Sequence, residues 1–154
     1  MVSTIATPWA PFDRADPAVA VGLLERIRGR TAEAWVVVEP RPAETPRRRF
    51  GGKAARSAYS ATISPFADDE APHFLLYLTF PKGPSFSDRG VSLPPGAVLD
   101  DQSKDDATFR VPIATAAADT LGLAMAALDS CAGAPLGDAW RACLGDTYVS
   151  RVGY

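Results

Sequence analysis

The chain has 154 residues, 47% hydrophobic and 22% charged, with 12 Gly, 14 Pro and a formal net charge of −2. That length suits one domain with a modest core; the apolar content excludes a disordered chain, and no apolar run approaches the ~18 residues that cross a bilayer. The opening Met1-Val2-Ser3-Thr4 has no basic region leading into an apolar stretch, so no secretory signal is expected. Two cysteines, Cys131 and Cys143, are too few for a disulfide framework, which makes a reduced cytosolic setting the default.

The small net charge conceals an asymmetry. Residues 1–56 hold 10 basic and 6 acidic groups, a balance of +4, whereas residues 57–154 hold 6 basic and 12 acidic, a balance of −6. Arg41, Arg47, Arg48, Arg49, Lys53 and Arg56 crowd into one stretch against Glu44 alone. The average argues against a polyanion partner; the local density permits one.

Along the chain, Pro8, Pro11 and Pro17 make residues 1–17 an extended or turn-rich arm. Residues 18–30 fit two readings. Asp16-Pro17 resembles a helix start, while the alternation of Val19, Val21 and Leu23 suits a strand. Ala34–Glu39 is a short β-rich run ended by Pro40, and Arg41–Arg56, with Pro42, Pro46, Gly51 and Gly52, reads as a loop.

Ala58–Phe66 alternates between Tyr59, Ala61, Ile63 and Pro65 on one face and Ser60, Thr62 and Ser64 on the other. A charged connection at Ala67–Glu70 leads to Phe74–Phe80, with Phe74, Leu76, Leu78 and Phe80 on one side and Leu75, Tyr77 and Thr79 on the other. The short link predicts antiparallel pairing. Lys82–Lys104, rich in Gly and Pro, reads as a long irregular segment of the kind that is usually functional or mobile. Asp106–Ile113 alternates again, with Ala107, Phe109, Val111 and Ile113 opposed to Asp106, Thr108, Arg110 and Pro112.

Then the period changes. Thr115–Ala132 is Ala-rich, with Leu121, Met125, Leu128 and Ala132 on a helical stripe, Asp119 in the first turn and Gly133 at the C-terminal cap. After Pro135, the residues Leu136, Trp140, Cys143 and Leu144 suggest a second, shorter helix. The expected fold class is therefore α+β: one antiparallel sheet with a greasy face, followed by two C-terminal helices that cover it. Residues 1–154 form one domain in this reading. It comprises an arm, first strands and basic loop (1–56), the sheet strands and long loop (57–113), and the helices with a C-terminal tail (114–154). Two short helices are a thin cover for five to seven strands, so a second subunit is expected to help bury the sheet.

Catalytic signals are sparse. His73 is the only histidine, beside Asp69 and Glu70, which excludes a multi-histidine metal site and leaves one conceivable base for a hydrolase. The plainer reading is a histidine at the start of a strand near a charged turn. Cys131 and Cys143 lack zinc spacing and read as buried helix thiols, with a helix-to-helix disulfide as the alternative. The pairs Asp68-Asp69, Asp100-Asp101 and Asp105-Asp106 lack a calcium loop and read as solvated turns. No P-loop, GxGxxG, GxSxG or HExxH occurs. No enzymatic activity, cofactor, metal or small-molecule substrate is expected.

Nucleic-acid signals are better. The cations Arg47, Arg48, Arg49 and Lys53 lie beside Phe50 and can hold phosphates. Ser60, Thr62, Ser64, Tyr77, Thr79, Thr108 and Arg110 share one sheet face by parity, a chemistry suited to RNA sugars, phosphates and unstacked bases. A solvated loop and a solvated outer face are the ordinary alternatives.

The order of these features resembles the coat protein of single-stranded RNA bacteriophages, the levivirus group. The resemblance covers residues 57–154 and rests on Ala58-Tyr59-Ser60-Ala61-Thr62-Ile63-Ser64, on Phe80-Pro81-Lys82 and on Val91-Ser92-Leu93-Pro94. It continues with Thr108-Phe109-Arg110-Val111-Pro112-Ile113 leading into a helix, a shorter helix and Tyr154; upstream, Ala32-Glu33-Ala34-Trp35 fits the preceding strand. The first 31 residues depart from the family's N-terminal β-hairpin, the Arg41–Arg56 insertion is longer, and Tyr77 stands where a basic residue is common.

The resemblance implies an interlocked dimer with a continuous ten-stranded sheet and C-terminal helices crossed over the partner. It also implies self-assembly into an icosahedral shell and packaging of single-stranded genomic RNA against the hydroxyl-bearing face. An RNA hairpin bound on that face would repress translation, and Lys82–Lys104 would lie between dimers. It implies a virion protein assembled in the host bacterial cytoplasm, with no membrane partner. A small dimeric RNA-binding regulator that forms no shells is the alternative.

Overall fold

The computed structural model describes residues 5–28, 34–41, 57–66, 72–81 and 91–146. Their elements are, in chain order, β1 (Ile5–Ala6), β2 (Ala10–Asp13), α1 (Ala18–Ile27), β3 (Ala34–Pro40), β4 (Ser60–Phe66), β5 (His73–Thr79), β6 (Val98–Gln102), β7 (Asp106–Pro112), α2 (Ala117–Ala132) and β8 (Ala139–Asp146). All eight strands join one antiparallel sheet in the order β1-β8-β3-β4-β5-β7-β6, with β2 also paired to β8.

Alternation decides the layers. Val36, Val38, Ala61, Ile63, Phe74, Leu76, Leu78, Ala107, Phe109 and Val111 point to one side and are fully buried. Helices α1 and α2 pack on each other and on this side of the sheet, so a single chain seals its own inner face.

The expected one sheet followed by two C-terminal helices is corrected at both ends. Residues 18–27 form helix α1 early in the chain, burying Ala20, Leu24 and Ile27 at helical spacing. Asp16 does not cap it. Pro17 is the N-cap residue, and Asp16 closes a turn by donating its N–H to the Asp13 carbonyl at 2.9 Å. The proposed second C-terminal helix is strand β8 instead. Trp140 and Leu144, read as a helical stripe, fit period two equally well with Ala142 between them. A long-range partner breaks the tie: β8 pairs along the whole of β3, which would otherwise be a bare edge.

That arrangement also removes the reason for interlocked subunits. Leu78, Phe109 and Trp140, expected to be covered in part by a partner, are fully buried within one chain.

Three smaller differences follow. The hairpin that the resemblance implies near the N-terminus is absent among the described residues, because β1 and β2 both add to β8 rather than to each other. The long irregular segment contains β6, an edge strand with a bulge between Leu99 and Asp101; residues 82–90 lie outside the described residues. Cys143 sits in a strand, not a helix; it and Cys131 are half-buried and not joined in a disulfide.

The predicted α2 stands over 117–132, ending at Gly133 in the left-handed conformation at φ 76°. Burial pushes the Cys131 thiol near its end up to about 11. The protonated thiol is the unreactive form. We expect Cys131 to react with iodoacetamide at pH 8 well below the rate of an unstructured cysteine; equal rates by mass spectrometry would contradict this burial. The folded value lies above the unfolded one, so the thiol's contribution to stability is complete below the ordinary thiol range and is lost as pH rises through about 11.

Candidate nucleic-acid interface

Among the described residues no helix lies on the opposite face of the sheet, and its side chains fall into cross-strand rows. One row runs Cys143, Val37, Thr62, Tyr77, Thr108, Asp101 over six strands, a span of about 24 Å at the usual strand spacing. A second contains Ser64, Leu75, Arg110 and Val98, and a third contains Ser60, Thr79 and Asp106. Parity therefore places Ser60, Thr62, Ser64, Tyr77, Thr79, Thr108 and Arg110 together, as the alternation predicted.

They are not equally available. Thr62, Ser64, Thr79, Thr108 and Arg110 are partly exposed, and Tyr77 is 39% exposed, but Ser60 is buried. The Tyr77 hydroxyl donates to Asp106 Oδ2 at 3.3 Å. Desolvation, then the Asp106 carboxylate, raises the Tyr77 pKa, so the phenol stays a neutral donor. Arg110 Nη2 lies 3.7 Å from Asp100 Oδ2.

Among the described residues this face carries more acid than base, since Asp101 and Asp106 stand in its rows beyond the two paired cations. Arg110 faces Asp100, and Arg141 is joined to the fully buried Glu39 at 2.6 Å. Arg47, Arg48, Arg49 and Lys53 lie outside the described residues. The segment that holds them leaves from Arg41, whose N–H donates to the Ala139 carbonyl at 3.0 Å, and returns at Ser57, whose N–H donates to Glu39 Oε1 at 3.2 Å. Both of its ends are thus pinned beside the Glu39–Arg141 pair.

Aromatic groups on this face escaped the sequence reading. The Arg141 guanidinium lies 4.1 Å from the centroid of the Trp9 ring. Trp35 is partly exposed and lies over Gly145, directly opposite on β8. Trp35 was legible, since it alternates with Ala34 and Val36 within the run 34–39. Trp9 and Arg141 were not, because their side depends on β2 and β8 joining the sheet.

His73 is buried, with its ring 5.3 Å from that of Phe66, and the neighbouring Asp69 and Glu70 lie outside the described residues. Among the described residues no three His, Cys, Asp or Glu side chains gather as a metal site, and no helix is long and apolar enough to cross a membrane. Compared with known proteins, the chain matches no family model, no curated protein and no solved structure.

Proposed function

We propose that this chain is a non-catalytic structural protein that binds single-stranded RNA on its uncovered sheet face and assembles with copies of itself into a coat. The observation that carries the RNA half is the alternation itself. Every inner position of the central strands is sealed under helices, while the outer positions present partly exposed hydroxyls, Tyr77 and Arg110. Hydroxyls and amphipathic aromatics contact sugars and unstacked bases, and cations anchor phosphates.

Because the described residues of the face carry more acid than base, the phosphate contacts fall to the Arg47–Arg49 stretch and Lys53. The shell half rests on the resemblance to levivirus coat proteins, whose strand, strand, loop, strand, helix order fits β4, β5, β7 and α2 over residues 57–132 except that the loop contains β6, and which finds no support in the chain beyond Gly133.

Two measurements test the two halves. Purified protein should carry nuclease-sensitive RNA and show closed particles by electron microscopy. RNA binding without particles would favour the dimeric regulator, and neither RNA nor particles would remove both readings.

Replacing Arg47, Arg48 and Arg49 with alanine should reduce the slope of log affinity against log salt by about 2, for three lost contacts to a single strand. Thr62→Val with Thr108→Val should weaken binding with that slope unchanged. A slope that ignores the arginines would place the phosphate contacts elsewhere.

A further inference from the structure

We propose that Trp35 is a base-stacking platform on the uncovered face, taking an unstacked nucleobase of the single-stranded RNA. The inference rests on the RNA-binding reading above and names a contact within it.

The seat of the indole is unusual. Trp35 stands opposite Gly145, and a Cβ at Gly145 would fall 2.3 Å from its Cε2, 2.4 Å from Cζ2 and 2.5 Å from Nε1. The ring thus fills the space of the missing side chain and lies low over the β8 backbone, where any residue other than glycine would displace it. Trp35 stays partly exposed on the outer face of the sheet.

Its surroundings match a nucleotide. One residue beyond the Val36–Ile63 pair, Trp35 is level with Ser64, and the same row continues through Leu75 to Arg110. With the ring lying over β8, an aromatic, a hydroxyl and a guanidinium therefore fall along one row over about 19 Å, four strand spacings. Stacking on an aromatic accepts any base, because every base has a π-face, and the hydroxyl and, further along the row, the guanidinium suit the sugars and phosphates of successive nucleotides. The rival account is that the ring merely shields a glycine on the neighbouring strand, as aromatics do in designed sheets. Both accounts predict lost stability on truncation, but only stacking predicts a dependence on bases.

The test compares a short single-stranded RNA with an abasic oligonucleotide of equal length and charge. The unmodified protein should prefer the base-bearing strand, and Trp35→Leu should lower affinity for it about 5- to 150-fold while leaving abasic binding unchanged. Trp35→Phe should retain most of the preference. Gly145→Ala, which evicts the ring without removing it, should behave like Trp35→Leu. In a Trp9→Phe background, quenching of tryptophan emission by the base-bearing strand alone reads the same contact with Trp35 intact, since Trp140 is fully buried. If the protein binds RNA and Trp35→Leu leaves the base preference intact, or if the base-bearing strand fails to quench, the platform is wrong and the shielding account stands. If the unmodified protein binds neither strand, the RNA-binding reading fails with it.

Discussion

Arg141→Ala is expected to destabilise the fold by about 3–5 kcal/mol in urea denaturation, the usual consequence of stranding one member of a buried ion pair. Glu39 is fully buried on the outer face of the sheet, and its Oε1 accepts from Arg141 Nε at 3.1 Å and Nη2 at 2.6 Å as well as from the Ser57 N–H. Alanine at 141 would leave that buried carboxylate without the Arg141 guanidinium and would remove the same guanidinium from the Trp9 ring. The pair as a whole is a different matter. Arg141→Met combined with Glu39→Met should recover most of the loss, because an apolar pair of similar volume avoids desolvating two charges. A double-mutant cycle measures the coupling. A loss below about 1 kcal/mol for Arg141→Ala would mean that the pair is solvated and that the neck of the basic segment is not pinned as described.

Trp140→Ala should cost a similar ~3–5 kcal/mol, for reasons of volume and connectivity rather than charge. Trp140 is fully buried on the inner side of β8, level with Phe12 on β2 and Pro40 on β3, and its Nε1 donates to the Gly137 carbonyl at 2.9 Å. Over its ring, 5.1 Å from the centroid, lies the Arg14 guanidinium, which grips Asp129 on α2 through bonds of 2.7 and 3.0 Å. Asp129 Oδ1 also accepts the Leu136 N–H at 2.8 Å, and Arg14 Nε donates to the Gly137 carbonyl at 3.1 Å. One indole thereby holds together β2, β8 and the C-terminal end of α2. Trp140→Phe, which keeps most of the apolar volume, should lose clearly less. Near-zero loss for alanine would contradict the position of β8 in the sheet.

The burial of Trp140 was legible before its secondary structure was. A large apolar residue spaced with Leu136 and Leu144 belongs in a core whether the segment is helix or strand, so the expected penalty for removing it is the same in both.

What differs is the covering layer. A second C-terminal helix would have left the sheet short of cover and called for an interlocked partner. A strand beside β3 and a helix from residues 18–27 close the core within one chain. The candidate face divides the same way. Thr62, Ser64, Tyr77, Thr108 and Arg110 could be grouped from alternation within three strands, whereas the Trp9–Arg141 stack and the Gly145 seat of Trp35 required knowing that β2 and β8 belong to the sheet.

Local periodicity by itself determined which side chains of β4, β5 and β7 look inward and which outward, and that α2 is a helix ended at Gly133, because successive residues of a strand or helix must point in fixed directions. Only the tertiary structure decided that residues 18–27 coil and 139–146 extend. Each segment buries its apolar residues adequately in either form; for 139–146 the choice falls to hydrogen-bonding partners on β3, a hundred residues away, whereas α1 bonds within itself and is selected by packing on α2 and the sheet.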